Sequence, residues 1–146
     1  MNKSISDKNK VFVVDDNEEV LMILRKSLIS AGYQVQVCSE PKKAIQMIKS
    51  FWPDVLVLDL LMPDVGGLEI CEMLNKDRQT QGIPIIVASG LNKYADIKKA
   101  YCSGTVCYLA KPFRMTELLE EINKFLAYKS EFPPVNACSQ REERSN

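Results

Sequence analysis

The chain has 146 residues, 46% of them apolar, which suits one domain with a real core. Its 19 basic and 19 acidic residues give a net charge of zero, so no basic excess points to nucleic acid as a partner. The absence of histidine excludes most zinc-site patterns and every histidine-based catalytic dyad.

Residues 1–9 read as a flexible start. They lack the apolar core of a signal peptide, and no stretch of the chain approaches the length of a membrane span. The first apolar run, Val11-Phe12-Val13-Val14, ends on Asp15-Asp16. Asn17 to Ala31 then places Val20, Leu21, Ile23, Leu24 and Leu28 on one broad helical stripe, and Gly32 is placed to end that helix. Tyr33, Val35 and Val37 alternate, which predicts a one-sided strand near an edge. Ser39 is a candidate cap for the next helix, with Pro41 in its first turn and Ala44, Ile45 and Ile48 facing inward.

Val55-Leu56-Val57-Leu58 is the second continuous run and ends on Asp59. Gly66-Gly67 opens a helix through Leu68, Ile70, Cys71 and Leu74. Ile83 to Ala88 runs into Ser89, a further helix is expected over Tyr94 to Cys102, and Gly104 stops it. Thr105 to Ala110 leads to Lys111-Pro112, and a last helix from about Thr116 carries Leu118, Leu119, Ile122, Phe125 and Leu126. Residues 129–146, with Pro133-Pro134 and few apolar side chains, read as a flexible tail or a linker to a further domain. The five cysteines are scattered without a CxxC pair, the pattern of free thiols in a reducing cytosol.

Strand and helix alternate throughout, which predicts a doubly wound α/β domain over residues 10–128 with a parallel sheet and helices on both faces. Runs that are continuously apolar rather than alternating are strands buried on both faces. Ligands bind such folds outside the carboxyl ends of the strands. Asp15, Asp16, Asp59, Ser89 and Lys111 all fall there. Each alone has an ordinary alternative: a solvated acid or helix cap, a strand-ending serine, an exposed loop lysine. Together the carboxylates call for a cation between them, and Mg²⁺ suits an all-oxygen site that keeps water and a phosphate oxygen. Lys111 supplies a point charge for a phosphoryl oxygen and Ser89 a hydroxyl donor.

Asp15-Asp16, Asp59-Leu60-Leu61-Met62-Pro63-Asp64-Val65-Gly66-Gly67, Ser89 and Lys111-Pro112-Phe113 resemble the receiver domain of bacterial two-component response regulators. The resemblance covers roughly Lys10 to Tyr128. It implies a flavodoxin-like three-layer (βα)5 fold with strand order 2-1-3-4-5. It also implies a cytoplasmic signalling switch rather than an enzyme, with Asp59 accepting a phosphoryl group from a histidine kinase, a phosphotransfer protein or a small acyl phosphate. Mg²⁺, with Mn²⁺ as a substitute, would be held by Asp15, Asp16, Asp59 and the backbone carbonyl of Leu61. Lys111 and Ser89 would contact the phosphoryl oxygens, Tyr108 would follow Ser89 inward, and the Lys111–Pro112 bond would be cis.

Output is implied through a downstream protein target or a self-dimer. The face expected to carry it is formed by the helix near Tyr94–Cys102, the strand of Tyr108 and the final helix. No direct contact with nucleic acid or membrane is expected. Leu61 and Leu91, both apolar, flank the path of a hydrolytic water, so slow self-dephosphorylation is expected. Other readings fit less well. A dehalogenase-type phosphatase needs an acid where Leu61 stands, and a flavin carrier needs a phosphate loop where Asp15-Asp16-Asn17-Glu18 would repel one. A receiver fold used only as an unphosphorylated protein-binding module leaves the acid set unexplained.

Overall fold

The computed structural model describes residues 8–62, 66–90, 98 and 105–131, with backbone alone at 105, 106 and 128–131. Five strands pair in parallel: β1 (Lys10–Val14), β2 (Gln34–Cys38), β3 (Val55–Leu58), β4 (Ile85–Ser89) and β5 (Thr105–Ala110). Their order is β2-β1-β3-β4-β5. Among the described residues the helices are α1 (Glu18–Ser30), α2 (Pro41–Phe51), α3 (Gly67–Lys76) and α4 (Met115–Glu131). The expected helix over Tyr94 to Cys102 lies outside the described residues apart from Lys98, and so do Leu91 and the segments 1–7 and 132–146.

Strand side chains point alternately to opposite faces, and the three central strands bury both. Phe12, Val14, Leu56, Leu58, Ile85 and Val87 join Ala44 and Ile48 of α2 and Ile70, Cys71 and Leu74 of α3 in one cluster. Val11, Val13, Val55, Val57, Ile86 and Ala88 join Leu21, Leu24 and Leu28 of α1 and Leu118 and Ile122 of α4 in the other. The result is the expected three-layer sandwich. β2 lies at the sheet edge, and its Val35 and Val37 are only partly buried, as the alternation predicts.

Local signals explain both ends of α1 and the start of α2. The side chain of Asn17 accepts hydrogen bonds from the backbone N–H groups of Glu19 and Val20 and caps α1. Gly32 follows that helix at φ 100°, a conformation that disfavours a Cβ. Ser39 does not cap α2; Glu40 occupies that position without a side-chain cap bond, because Pro41 as the first helical residue forces its predecessor into extended backbone. Thr116 is not a cap either: α4 begins at Met115, and the N–H groups of Glu117 and Leu118 donate to the Arg114 carbonyl. That helix runs on to Glu131, past the boundary expected at Tyr128. Lys129, Ser130 and Glu131 contain no breaker, and the first proline beyond them is Pro133.

Leu56 is fully buried at the centre of the sheet in the cluster under α2 and α3. Leu56→Ala should lower the free energy of unfolding by about 2–5 kcal/mol, read from urea denaturation, without changing the fold.

Candidate functional site

The sheet register sets neighbouring strand ends side by side. Val14 pairs with Leu58, Leu58 with Val87, and Ser89 with Ala110, so the next residues out are Asp15, Asp59 and Lys111. The ladder continues into them. The N–H of Asp59 donates to the Val14 carbonyl at 3.0 Å, that of Asp15 to the Cys38 carbonyl at 3.2 Å, and that of Lys111 to the Ser89 carbonyl at 2.9 Å.

The two buried carboxylates are held alike. Oδ1 of Asp15 accepts the Asn17 N–H at 2.9 Å, and Oδ1 of Asp59 accepts the Leu61 N–H at 3.0 Å. Each is an Asx turn, which ties the side chain to its own backbone two residues on. Their Oδ2 atoms share one ammonium: Nζ of Lys111 donates to Asp15 at 2.8 Å and approaches Asp59 at 3.4 Å. Asp16 is exposed, and one oxygen each from Asp15, Asp16 and Asp59 lie within 4.8 Å of one another. The Lys111–Pro112 bond is cis, the isomer the resemblance implies.

Three carboxylates against one ammonium leave local negative charge in excess. The donors are all hard oxygens, and the exposure of Asp16 leaves room for water. Such a donor set fits a divalent hard cation and is unsuited to a soft one. Burial alone would lower the pKa of Lys111. The hydrogen bond to Asp15 and the charges of Asp59 and Asp15 outweigh it and hold the ammonium above its ordinary value.

The remaining expected residues surround this centre. Ser89 is fully buried at the end of β4. Tyr108 on β5 is half-buried and, like Met62 and Leu68, packs against the cluster under α2 and α3. The side chain of Leu61 is 53% exposed beside Asp59. The roles of two contributors escaped the sequence reading. Asn17 serves the site twice, through its N–H on Asp15 and its cap on α1, and its place just after Asp15-Asp16 was a usable signal. Gly67 enters the sequence reading only as a helix-opening residue within the motif that carries the resemblance, whereas its close approach to the Asp59 peptide is a tertiary feature. Burial and the neighbouring Glu121 carboxylate push the thiol pKa of Cys107, on β5, up to about 11, which disfavours the thiolate.

A five-stranded parallel α/β sheet thus carries an acidic cluster and one lysine at its carboxyl edge, a site that could hold a metal ion. The chain belongs to the response regulator receiver domain family, which it matches over residues 11–123. It is 36% identical to response regulator MprA of Mycobacterium ulcerans, over 80% of this chain and 50% of that protein. It is 29% identical to the DNA-binding dual master transcriptional regulator RpaA of Synechocystis, over 90% of this chain and 54% of that protein. The chain thus spans about half the length of these relatives. Among solved structures, the response regulator signal receiver domain of Bermanella marisrubri superposes with a TM-score of 0.76 at 29% identity, over 82% of this chain and 99% of that one. The CheY-like receiver domain protein of Methanospirillum hungatei superposes at 0.81 over 86% and 98%, and at 22% identity it supports the fold alone.

The RpaA relative corrects the expectation of no nucleic-acid partner. A zero net charge describes only the surface of these 146 residues. Affinity for a phosphate backbone depends on whichever segment carries the cationic groups, so the balance cannot exclude DNA for a protein of this kind.

Lys111 also supplies a pH test. Its pKa is raised in the folded state, so its stabilisation is fully present below lysine's ordinary value near 10.5 and is lost as pH rises through the higher folded value. The unfolding midpoint of Lys111→Met should therefore lie below wild type at pH 8, with the gap narrowing above pH 10.5.

Proposed function

We propose that this chain is a phosphorylation-dependent signalling switch of the cytoplasm, in which Asp59 accepts a phosphoryl group from a phosphohistidine of a histidine kinase or phosphotransfer protein. An acyl phosphate would serve as a small-molecule donor. A carboxylate oxygen of Asp59 attacks phosphorus, the phosphorus bond to the donor breaks, and the donor departs with that electron pair. The observation that carries this reading is the pairing of two buried carboxylates on one ammonium beside an exposed third acid.

Asp15, Asp16, Asp59 and the Leu61 carbonyl would hold Mg²⁺ or Mn²⁺, which when bound supplies positive charge against the phosphoryl oxygens. Lys111 then exchanges its carboxylate partners for a phosphoryl oxygen. The new group brings about −1.5 to −2 charges and three acceptors, enough to draw the Ser89 hydroxyl toward it. Movement of Ser89 opens room for the half-buried ring of Tyr108, so a local charge change alters the partner-binding surface.

Intact mass after incubation with acetyl phosphate and Mg²⁺ tests this directly. One added phosphate is expected, absent in Asp59→Asn and without Mg²⁺. If neither acetyl phosphate nor a panel of kinases adds phosphate, the unphosphorylated binding module replaces this reading.

The apolar Leu61 and Leu91 cannot orient a hydrolytic water. Leu61→Asn combined with Leu91→Glu should shorten the half-life of the phosphorylated form at least severalfold, followed by loss of the mass adduct. An unchanged half-life refutes slow hydrolysis through these positions.

A further inference from the structure

Two adjacent glycines open α3, and their surroundings differ. Gly66 has φ −71° and ψ 154°, which any residue adopts, and a Cβ there would meet nothing within 4 Å. At Gly67 a Cβ would lie 2.3 Å from the carbonyl oxygen of Asp59, 2.6 Å from the Cα of Leu60 and 3.0 Å from the carbonyl carbon of Asp59. These are backbone atoms, so no side-chain rotation relieves the overlap. Either the Asp59–Leu60 backbone or the first turn of α3 seated on it would have to shift.

That backbone is tied on several sides. The Asp59 N–H donates to Val14 at 3.0 Å, and the Gly67 N–H donates to the Leu60 carbonyl at 3.2 Å. The Leu61 N–H donates to the Asp59 carboxylate at 3.0 Å. A displacement of this peptide is therefore transmitted to the carboxylate that shares Lys111 with Asp15.

We infer that Gly67 is a positioning residue for Asp59: its missing side chain lets the first turn of α3 seat directly on the Asp59 peptide and sets where the carboxylate stands among Asp15, Asp16 and Lys111. The inference rests on the function proposed above and adds a residue that acts through the Asp59–Leu60 backbone.

The test compares wild type, Gly66→Ala, Gly67→Ala and Asp59→Asn in two measurements. One is the initial rate of adduct formation from acetyl phosphate. The other is the rise in unfolding midpoint on adding Mg²⁺, which reports binding to the folded state. Gly66→Ala should match wild type in both. Gly67→Ala should lose about a hundredfold in rate, the scale of an ångström-sized misplacement, and most of the Mg²⁺-dependent rise.

A merely structural glycine would lower the midpoint equally with and without Mg²⁺ and leave the rate intact, which overturns the inference. If Gly67→Ala is unfolded in plain buffer, both measurements are repeated in trimethylamine N-oxide, which favours compact states. A chain still unfolded there assigns Gly67 to folding and also overturns it. If wild type responds to Mg²⁺ but takes no phosphate from acetyl phosphate, the midpoint comparison decides alone. If wild type shows neither response, the proposed function falls and this inference with it.

Discussion

Everything at the carboxyl edge of the sheet depends on one ammonium shared by two buried carboxylates. The side chains of Asp15 and Asp59 are only 4% and 9% exposed, so neither charge is well solvated. Removing one partner of such a group leaves an uncompensated buried charge, a far larger effect than the loss of a surface ion pair. Lys111 is itself 28% exposed, so solvent screens the interaction in part. The site is thus satisfied at rest while Asp16 leaves it acidic enough to accept a further cation.

The sheet makes this arrangement precise at little cost. Strand ends cannot drift relative to one another when parallel hydrogen bonds continue one residue beyond them, as they do from Asp59 to Val14 and from Lys111 to Ser89. The core beneath enforces the same register, because a one-residue slip would send every apolar side chain of a strand to the wrong layer. Burial of Val13 in one cluster and Val14 in the other, one residue from Asp15, shows how closely packing and chemistry are joined.

What could be read from the amino acids follows from the same physics. β1, β3 and β4 were legible because strands buried on both faces leave continuous apolar runs, and β2 because an edge strand alternates. The acids and Ser89 were legible because each ends such a run; Lys111 also ends an apolar run, but β5 is the other sheet edge, with Cys107, Tyr108 and Leu109 half-buried and Ala110 exposed. Helical faces were read less sharply. Ile23 was placed on the inner stripe of α1 but is 63% exposed. At about 100° per residue it lies roughly 130° from the centre line of Leu21, Leu24 and Leu28, beyond the buried arc. Caps governed by backbone geometry, such as Glu40 before Pro41, were missed because the expected polar side chain is not what ends the helix. The charge balance misled for a different reason: it is a property of this stretch, whereas the relatives are about twice as long.

The two sides of Asp59 differ in kind, and the difference bears on switching. On one side the constraint is steric: Gly67 and the ladder bond to Val14 hold the Asp59 peptide and do not respond to charge. On the other it is electrostatic: Lys111 reaches the site on a long, flexible stem and can trade one anionic partner for another. A phosphoryl group added at Asp59 would therefore leave the peptide in place and move its counter-charge. The displacement would pass toward Lys111, Ser89 and Tyr108 on β4 and β5, rather than into the central strands. Residues whose neighbours are fixed backbone make an anchor, and residues held by exchangeable charge make the moving part. Under the proposed phosphorylation, that division would let one covalent change alter a surface without disturbing the core that positions it.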